Sequence, residues 1–439
     1  MVTEATCCIE NHCKYSFVVQ NNKSRMGLLE LVIAYYLIII LLDTVFTQFQ
    51  LSVFGGVILD AAVISSLAII GTCAAFLIEA LRIKTIKKRY LLIVFFFCAF
   101  SATEVVYYFT NGAEIFYTAL FLYNKVIPLL LVFTIILSKR QIKYKFLING
   151  FKIFAFCNAI LTIVQFVTND LIWSYTVDNL GNELFWSIYS TDFSRLRPPG
   201  CMNSALTSGY ISVIWFGLIL YNIYHRKKKI KKQSWISASV AYVSIIIAFA
   251  AILVTQTRNV YFTLAFIILY FFIANIAKKN SRIIMPSFTV LAVILYFVLF
   301  LYVLPALEDV NGVFSTASSL IRLRNWLNLW EKVERENVMQ ILFGTMEWQS
   351  VAPTSVFSDN LFMDTFFSMG TIGIIIYLII NVKLQRWLLS DKPCYAIAAL
   401  AASILFVGVA NVPSSCYESS VLIISAVFIH NLERSVGVC

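Results

Sequence analysis

Charged residues make up only 13% of this 439-residue chain, whereas a water-soluble domain carries roughly a quarter. The hydrophobic fraction is 60% and the mean hydropathy is +0.82. That shortage of charge excludes a soluble globule and predicts an all-α, polytopic integral membrane protein. Glycine and proline are scarce too, at 16 and 8, so few helices should be broken. Histidine occurs only at His12, His225 and His430. The ten cysteines show no C-x-x-C spacing, so no metal site is expected.

A spanning helix needs about 20 mostly apolar residues, and backbone in lipid must satisfy its own hydrogen bonds. Twelve segments meet that description: 26–45, 61–81, 91–109, 115–137, 146–167, 208–224, 235–254, 259–277, 284–305, 360–380, 394–411 and the shorter 417–430. The first is long enough to span and lacks a small-residue cleavage site, so no cleavable signal peptide is expected. The chain then divides into a cytoplasmic segment 1–25, membrane helices 26–167, an outer loop 168–207, central membrane helices 208–305, a large outer loop 306–358, and C-terminal membrane helices with a cytoplasmic tail, 359–439.

Lysine and arginine beside the spans set orientation. If the twelve spans alternate, the clusters KSR (23–25), RIKTIKKR (82–89), SKRQIKYK (138–145), RKKKIKK (226–232) and KKNSR (278–282) share one side with Lys383–Lys392 and Arg434. That side is cytoplasmic, as are both termini and all three histidines. The net charge of +11 therefore needs no nucleic-acid partner. Seven basic residues run against the bias and fall outside: Arg195, Arg197, Arg258, Arg322, Arg324, Lys332 and Arg335. Of the cysteines only Cys201 and Cys416 fall there, as a disulfide or as two free thiols.

The outer arginines form three stations. Arg195 and Arg197 precede a Pro-Pro-Gly turn in RLRPPGCMN, with Gly200 and Asn203 beside them. Arg258 lies in the turn TQTRN. Arg322 and Arg324 lie in SSLIRLRNWLNLWEKV, where Leu320, Leu323, Leu327 and Trp330 recur every three or four residues. That period predicts an amphipathic helix lying along the membrane surface. Its polar side would present Arg322, Asn325, Asn328, Lys332 and Arg335. A guanidinium fork matches phosphate oxygens in pairs; an arginine near a helix end also snorkels to lipid headgroups. Lys332 and Arg335 read as solvated partners of Glu331 and Glu336.

Carboxylates form a second polar signal. In SDNLFMDTFFSMGTIG, Asp359 and Asn360 stand where a span begins, with Asp364 one turn deeper. Ser358 or Asp359 would cap the helix, and Asp359 would also serve as a base, with Asp192 and Glu347 in reserve. Gly370 and Gly373 would allow close helix packing. Asp60, Glu79, Glu104 and Lys125 are charges inside spans, and Glu104 and Lys125 are expected to pair. Trp173, Trp186, Tyr189, Trp326 and Trp348 are read as interface anchors or as platforms for sugar faces.

Taken in order, RLRPPGCMN, TQTR, Arg322-x-x-x-Trp326, Leu342–Gly344 and the Asp359-Asn360 pair leading into MGTIG resemble the Wzy-type bacterial polysaccharide polymerases, relatives of the O-antigen ligases. The resemblance covers residues 190 to 380. It implies a metal-independent glycosyltransferase that needs no cofactor and works at the outer face of the bacterial cytoplasmic membrane. Such an enzyme joins oligosaccharide repeats carried on undecaprenyl pyrophosphate. Arg195, Arg197, Arg258, Arg322 and Arg324 would bind the diphosphate, Asp359 would activate the acceptor hydroxyl, and Asn360, Gly200 and Asn203 would support them. A flippase and a chain-length regulator would be partners. The ligases place a histidine where this chain has Asp359, which favours polymerase. A lipid-linked oligosaccharide flippase and an ion-coupled transporter are the readings from other classes.

Overall fold

The computed structural model describes residues 27–54, 61–82, 88–110, 118, 122–138, 142, 144–171, 196–202, 204–229, 235–303, 317–333, 337–344, 360–390, 393–409 and 415–436. Among these residues the protein is helical throughout, without a strand. The helices are α1 (Leu28–Phe54), α2 (Ala61–Arg82), α3 (Lys88–Thr110), α4 (Ile127–Leu137), α5 (Tyr144–Thr168), α6 (Ala205–Lys229), α7 (Trp235–Val254), α8 (Arg258–Ala277), α9 (Ser281–Val298), α10 (Ala317–Val333), α11 (Val338–Phe343), α12 (Leu361–Leu388), α13 (Tyr395–Val407) and α14 (Ser415–Val436). Short π-helical turns, Leu122–Val126 and Leu299–Val303, precede α4 and follow α9.

Four helical runs among the described residues are long and apolar enough to cross a membrane: Lys145–Thr168, Ala205–Tyr224, Arg258–Val303 and Leu361–Leu388. Six shorter apolar helices accompany them. These are the helices of a membrane protein. The run Arg258–Val303 is 46 residues long, about 69 Å at 1.5 Å per residue, which is twice what a bilayer needs. It breaks at Lys278, whose φ is +46°. Ring contacts pair Phe262 with Tyr296 and Phe266 with Phe288, so α8 and α9 return antiparallel.

The bundle closes around α13. Its sequence, YAIAALAASILFV, has no charge, and twelve of its thirteen residues are buried. Small side chains let neighbouring backbones approach, which is the main route to tight packing in lipid. Helices α6, α8, α9, α12 and α14 all lie against it.

Scarce glycine does not leave every helix intact. Gly370 has φ +64° and ψ −168°, a break inside α12. Short α11 docks there: Thr371 Oγ1 donates to the Ile341 carbonyl at 3.0 Å, and a Cβ on Gly370 would collide with the Leu342 carbonyl. A Cβ on Gly344, at φ +95°, would in turn meet the Phe367 carbonyl from the other side, less closely. The Leu342–Gly344 and MGTIG motifs are thus two halves of one joint, whereas the sequence suggested close packing between helices. Gly370 must be glycine because its φ lies where L side chains are strained.

The expected Glu104–Lys125 pair does not form. Lys125, in the first π turn, bonds Asp364 of α12 instead; Asp364 is buried and Lys125 nearly so. Glu104 is fully buried on α3, and neither carboxyl oxygen has a partner among the described residues. Glu79 pairs with Arg82 at 3.0 Å. Asp60 lies outside the described residues. Cys201 and Cys416 do not form a disulfide: Cys416 packs in the first turn of α14, and Cys201 is held in a turn against α5.

Candidate functional site

A polar stripe on α5 positions the Arg-Pro-Pro-Gly turn. Asn158, Thr162 and Gln165 recur every three or four residues along one face of an otherwise apolar helix, and Asn169 follows just past its end. All three helical side chains are fully buried. Asn158 Oδ1 accepts from the Cys201 amide at 2.8 Å. Gln165 Oε1 accepts from the Gly200 amide at 2.8 Å, and its Nε2 donates to the Gly200 carbonyl at 3.3 Å. Asn169 Oδ1 accepts from the Leu196 amide at 2.9 Å. Ser208 of α6 completes the network, bonding Thr162 at 2.8 Å and Asn158 at 3.0 Å. Buried backbone polar groups need such partners, and here side chains supply them where no regular structure can. Gly200 has φ +62°, and a Cβ there would meet both Asn158 Oδ1 and Thr162 Oγ1. The turn therefore seats flat on the stripe only because residue 200 is glycine.

This seat fixes Arg197. Its Nη2 donates to Thr257 Oγ1 at 3.0 Å, and Thr257 Oγ1 in turn donates to the Thr255 carbonyl at 3.0 Å. Thr257 is the residue before α8, and its committed hydroxyl makes no side-chain cap. The TQTR turn thereby orients Arg197 and also starts α8 with Arg258, which is buried at 8% exposure. Asn259 is tied to the end of α9 by the Tyr296 hydroxyl at 3.2 Å.

The third station arrives on α10. Trp326 is 5% exposed and stacks on Phe300 with ring centroids 4.8 Å apart. It is neither a lipid anchor nor a sugar platform but the plug that docks α10 against the end of α9. Arg322, one helical turn earlier, shares its face and is half-buried. Leu320, Ile321 and Leu327 remain exposed at 46%, 62% and 59%. The helix thus turns its Arg322–Trp326 edge to the protein rather than presenting Arg322 on an outward polar side. Truncating a packed tryptophan typically costs about 3–5 kcal/mol. Trp326→Ala is expected to release α10, read as faster limited proteolysis within 317–333 while the remaining bundle stays resistant.

The three segments bring their guanidinium groups together. Arg322 lies within electrostatic reach of both Arg197 and Arg258. Burial is the largest influence on Arg197 and pushes its guanidinium below the ordinary arginine value; Tyr261 opposes this and the Arg322 charge adds to it. Arginine keeps its charge at any ordinary pH, so the group stays cationic. Its Nε is buried with no hydrogen-bond partner among the described residues, and a buried unpaired donor is costly. The open buried donor of Arg197, within reach of the Arg322 charge, is a group that an anion could accept from. Chemically, the arrangement offers charge stabilisation and directional donors to a multiply charged oxyanion.

The other sequence candidates fall as follows. Asn360, not Ser358 or Asp359, caps α12: its Oδ1 accepts from the Phe362 and Met363 amides at 2.8 and 3.1 Å, and its Nδ2 donates to the Val409 carbonyl at 2.8 Å. Its role here is to lock α12 to the end of α13. Arg324 is exposed on α10. Arg195, Asn203, Asp359, Asp192, Glu347, Trp173, Trp186, Tyr189 and Trp348 lie outside the described residues. Among the described residues no group of three His, Cys, Asp or Glu side chains is placed to hold a metal. Sequence reasoning missed the seat on α5, although polar residues at helical spacing within an apolar span are a readable signal. It also missed Thr257 as the group that orients Arg197.

No family model, curated protein or solved structure matches this chain.

Proposed function

We propose that this protein is a polysaccharide polymerase of the Wzy type. It would join undecaprenyl-pyrophosphate-linked oligosaccharide repeats at the outer face of a bacterial cytoplasmic membrane and release the lipid pyrophosphate. The observation that carries this reading is the convergence of Arg197, Arg258 and Arg322 from three segments distant in sequence. A departing diphosphate is a multiply charged anion that guanidinium forks bind in pairs of oxygens. Preorganised donors aimed where charge develops are commonly the largest catalytic contribution. In this reading Arg195 and Arg324 assist at the edges. Asp359, next to the Asn360 cap, takes the acceptor proton as general base, with no cofactor or metal. The twelve-span topology with both termini cytoplasmic belongs to the same reading, as do a flippase and a chain-length regulator as partners.

The test is Arg258→Ala and, separately, Arg258→Lys, with polymer length assayed in cells at matched protein levels. Both are expected to lose the long-chain ladder, because an ammonium lacks the fork that binds two oxygens. A normal ladder from both would remove Arg258 from the mechanism. Loss of attachment with chain length intact would favour a ligase.

A further inference from the structure

A second charged cluster lies inside the bundle, apart from the arginines. Lys125 of the first π turn bonds Asp364 of α12. Glu418, in the first turn of α14, lies within electrostatic reach of both. The Tyr377 hydroxyl donates to Glu418 Oε1 at 2.6 Å. Exposure is 2% for Asp364, 9% for Glu418 and 9% for Tyr377. Asp364 Oδ1 is buried with no partner among the described residues. Among the described residues Tyr36 of α1, neutral in its ordinary form, also lies within electrostatic reach of Glu418. Tyr36 itself is engaged with Ser419 Oγ and the Tyr123 carbonyl, each at 3.3 Å. Tyr417 is committed to Ser403 at 2.6 Å.

The charges in this cluster do not balance. Two carboxyl groups share one ammonium, and neighbouring carboxylates in a dry site cannot both stay ionised at little cost. Lys125 is committed to Asp364, while among the described residues Glu418 receives a neutral donor, the Tyr377 hydroxyl. We propose that Glu418 is a proton-binding site: it holds one exchangeable proton, so that the cluster is a neutral acid beside a Lys125–Asp364 ion pair. The proton is taken from water onto the Glu418 carboxylate, and Tyr377 donates to the oxygen that remains an acceptor. Because π turn, broken helix α12, α1 and α14 all meet here, the proton count of Glu418 bears on their packing. This inference does not depend on the glycosyl-transfer reading, since none of its groups belongs to the arginine site.

Infrared spectroscopy of the full-length protein in nanodiscs, titrated with pH in H2O and D2O, tests it. The expected result is a carboxylic-acid band that shifts in D2O, disappears as pH rises, and is missing from Glu418→Gln. Subtracting that variant also removes the contribution of buried Glu104. If Glu418→Gln does not fold, Tyr377→Phe serves instead: loss of the donor is expected to move the acid band to higher frequency. Acid regions of wild type and variant that coincide at every pH would overturn the assignment. So would a band that vanishes with Asp364→Asn in place of Glu418→Gln, or one that responds to sodium and not to pH.

Discussion

Arg197→Lys is expected to lower glycosyl transfer by about 10²–10³-fold, the scale on which removal of one preorganised donor acts. The reason lies in the geometry of the side chain. Arg197 spends Nη2 on Thr257 at 3.0 Å and still has a buried Nε to offer. A lysine carries its donors on one compact ammonium, so it cannot reproduce the separate positions from which Nη2 meets Thr257 and Nε faces the ligand. The α5 seat is undisturbed by this change, because it holds the backbone of residues 196, 200 and 201. Protein levels and thermal stability are therefore expected to match wild type, and the loss should appear in transfer alone. Steady-state transfer with purified protein and a lipid-diphosphate donor measures it. Thr257→Val is expected to reproduce part of the loss, since it frees Nη2 without removing the charge.

Lys125→Met is expected to destabilise the folded bundle by about 3–5 kcal/mol, the usual cost of leaving one partner of a buried ion pair uncompensated. Asp364→Asn should cost a similar amount, because it leaves the ammonium alone in the interior. The double variant is expected to recover most of the loss, since replacing both charges by neutral groups of similar size removes the desolvation penalty along with the attraction. Denaturation in mixed micelles measures all three, and additivity of the two single losses would contradict the pairing. The effect is large because Lys125 joins a π turn to α12 across 239 residues of sequence.

The apolar periodicity made the helical architecture readable, because lipid admits few alternatives to a helix. Arginine identity is readable more coarsely: Arg197, Arg258 and Arg322 are three of the seven basic residues that run against the charge bias. Their placement depends on contacts that composition cannot convey. The partner of Lys125 was misassigned because Glu104 is nearer in sequence, while Asp364 comes from a helix more than two hundred residues away. The cap of α12 is expected one or two residues early because Ser358, Asp359 and Asn360 are all good caps; Asn360 takes the position and also reaches the Val409 carbonyl. The break at Gly370 was hidden because glycine in a span also serves close packing, and the docking of α11 decides between the two. The outward face of α10 was half right: its leucines are exposed, but Trp326 follows a stacking partner on the α9 side.

Binding of an undecaprenyl-pyrophosphate lipid to nanodisc-embedded protein tests the shared arginine site most directly, measured for wild type and for Arg197→Ala, Arg258→Ala, Arg322→Ala and the exposed Arg324→Ala. The account predicts that each of the first three weakens binding at least about tenfold, a loss of roughly 1.4 kcal/mol or more, and that wild-type affinity falls with added salt. Arg324→Ala, at the exposed edge of the site, should weaken binding less than any of the other three. Equal affinity across all five proteins would contradict the claim that Arg197, Arg258 and Arg322 form one anion site.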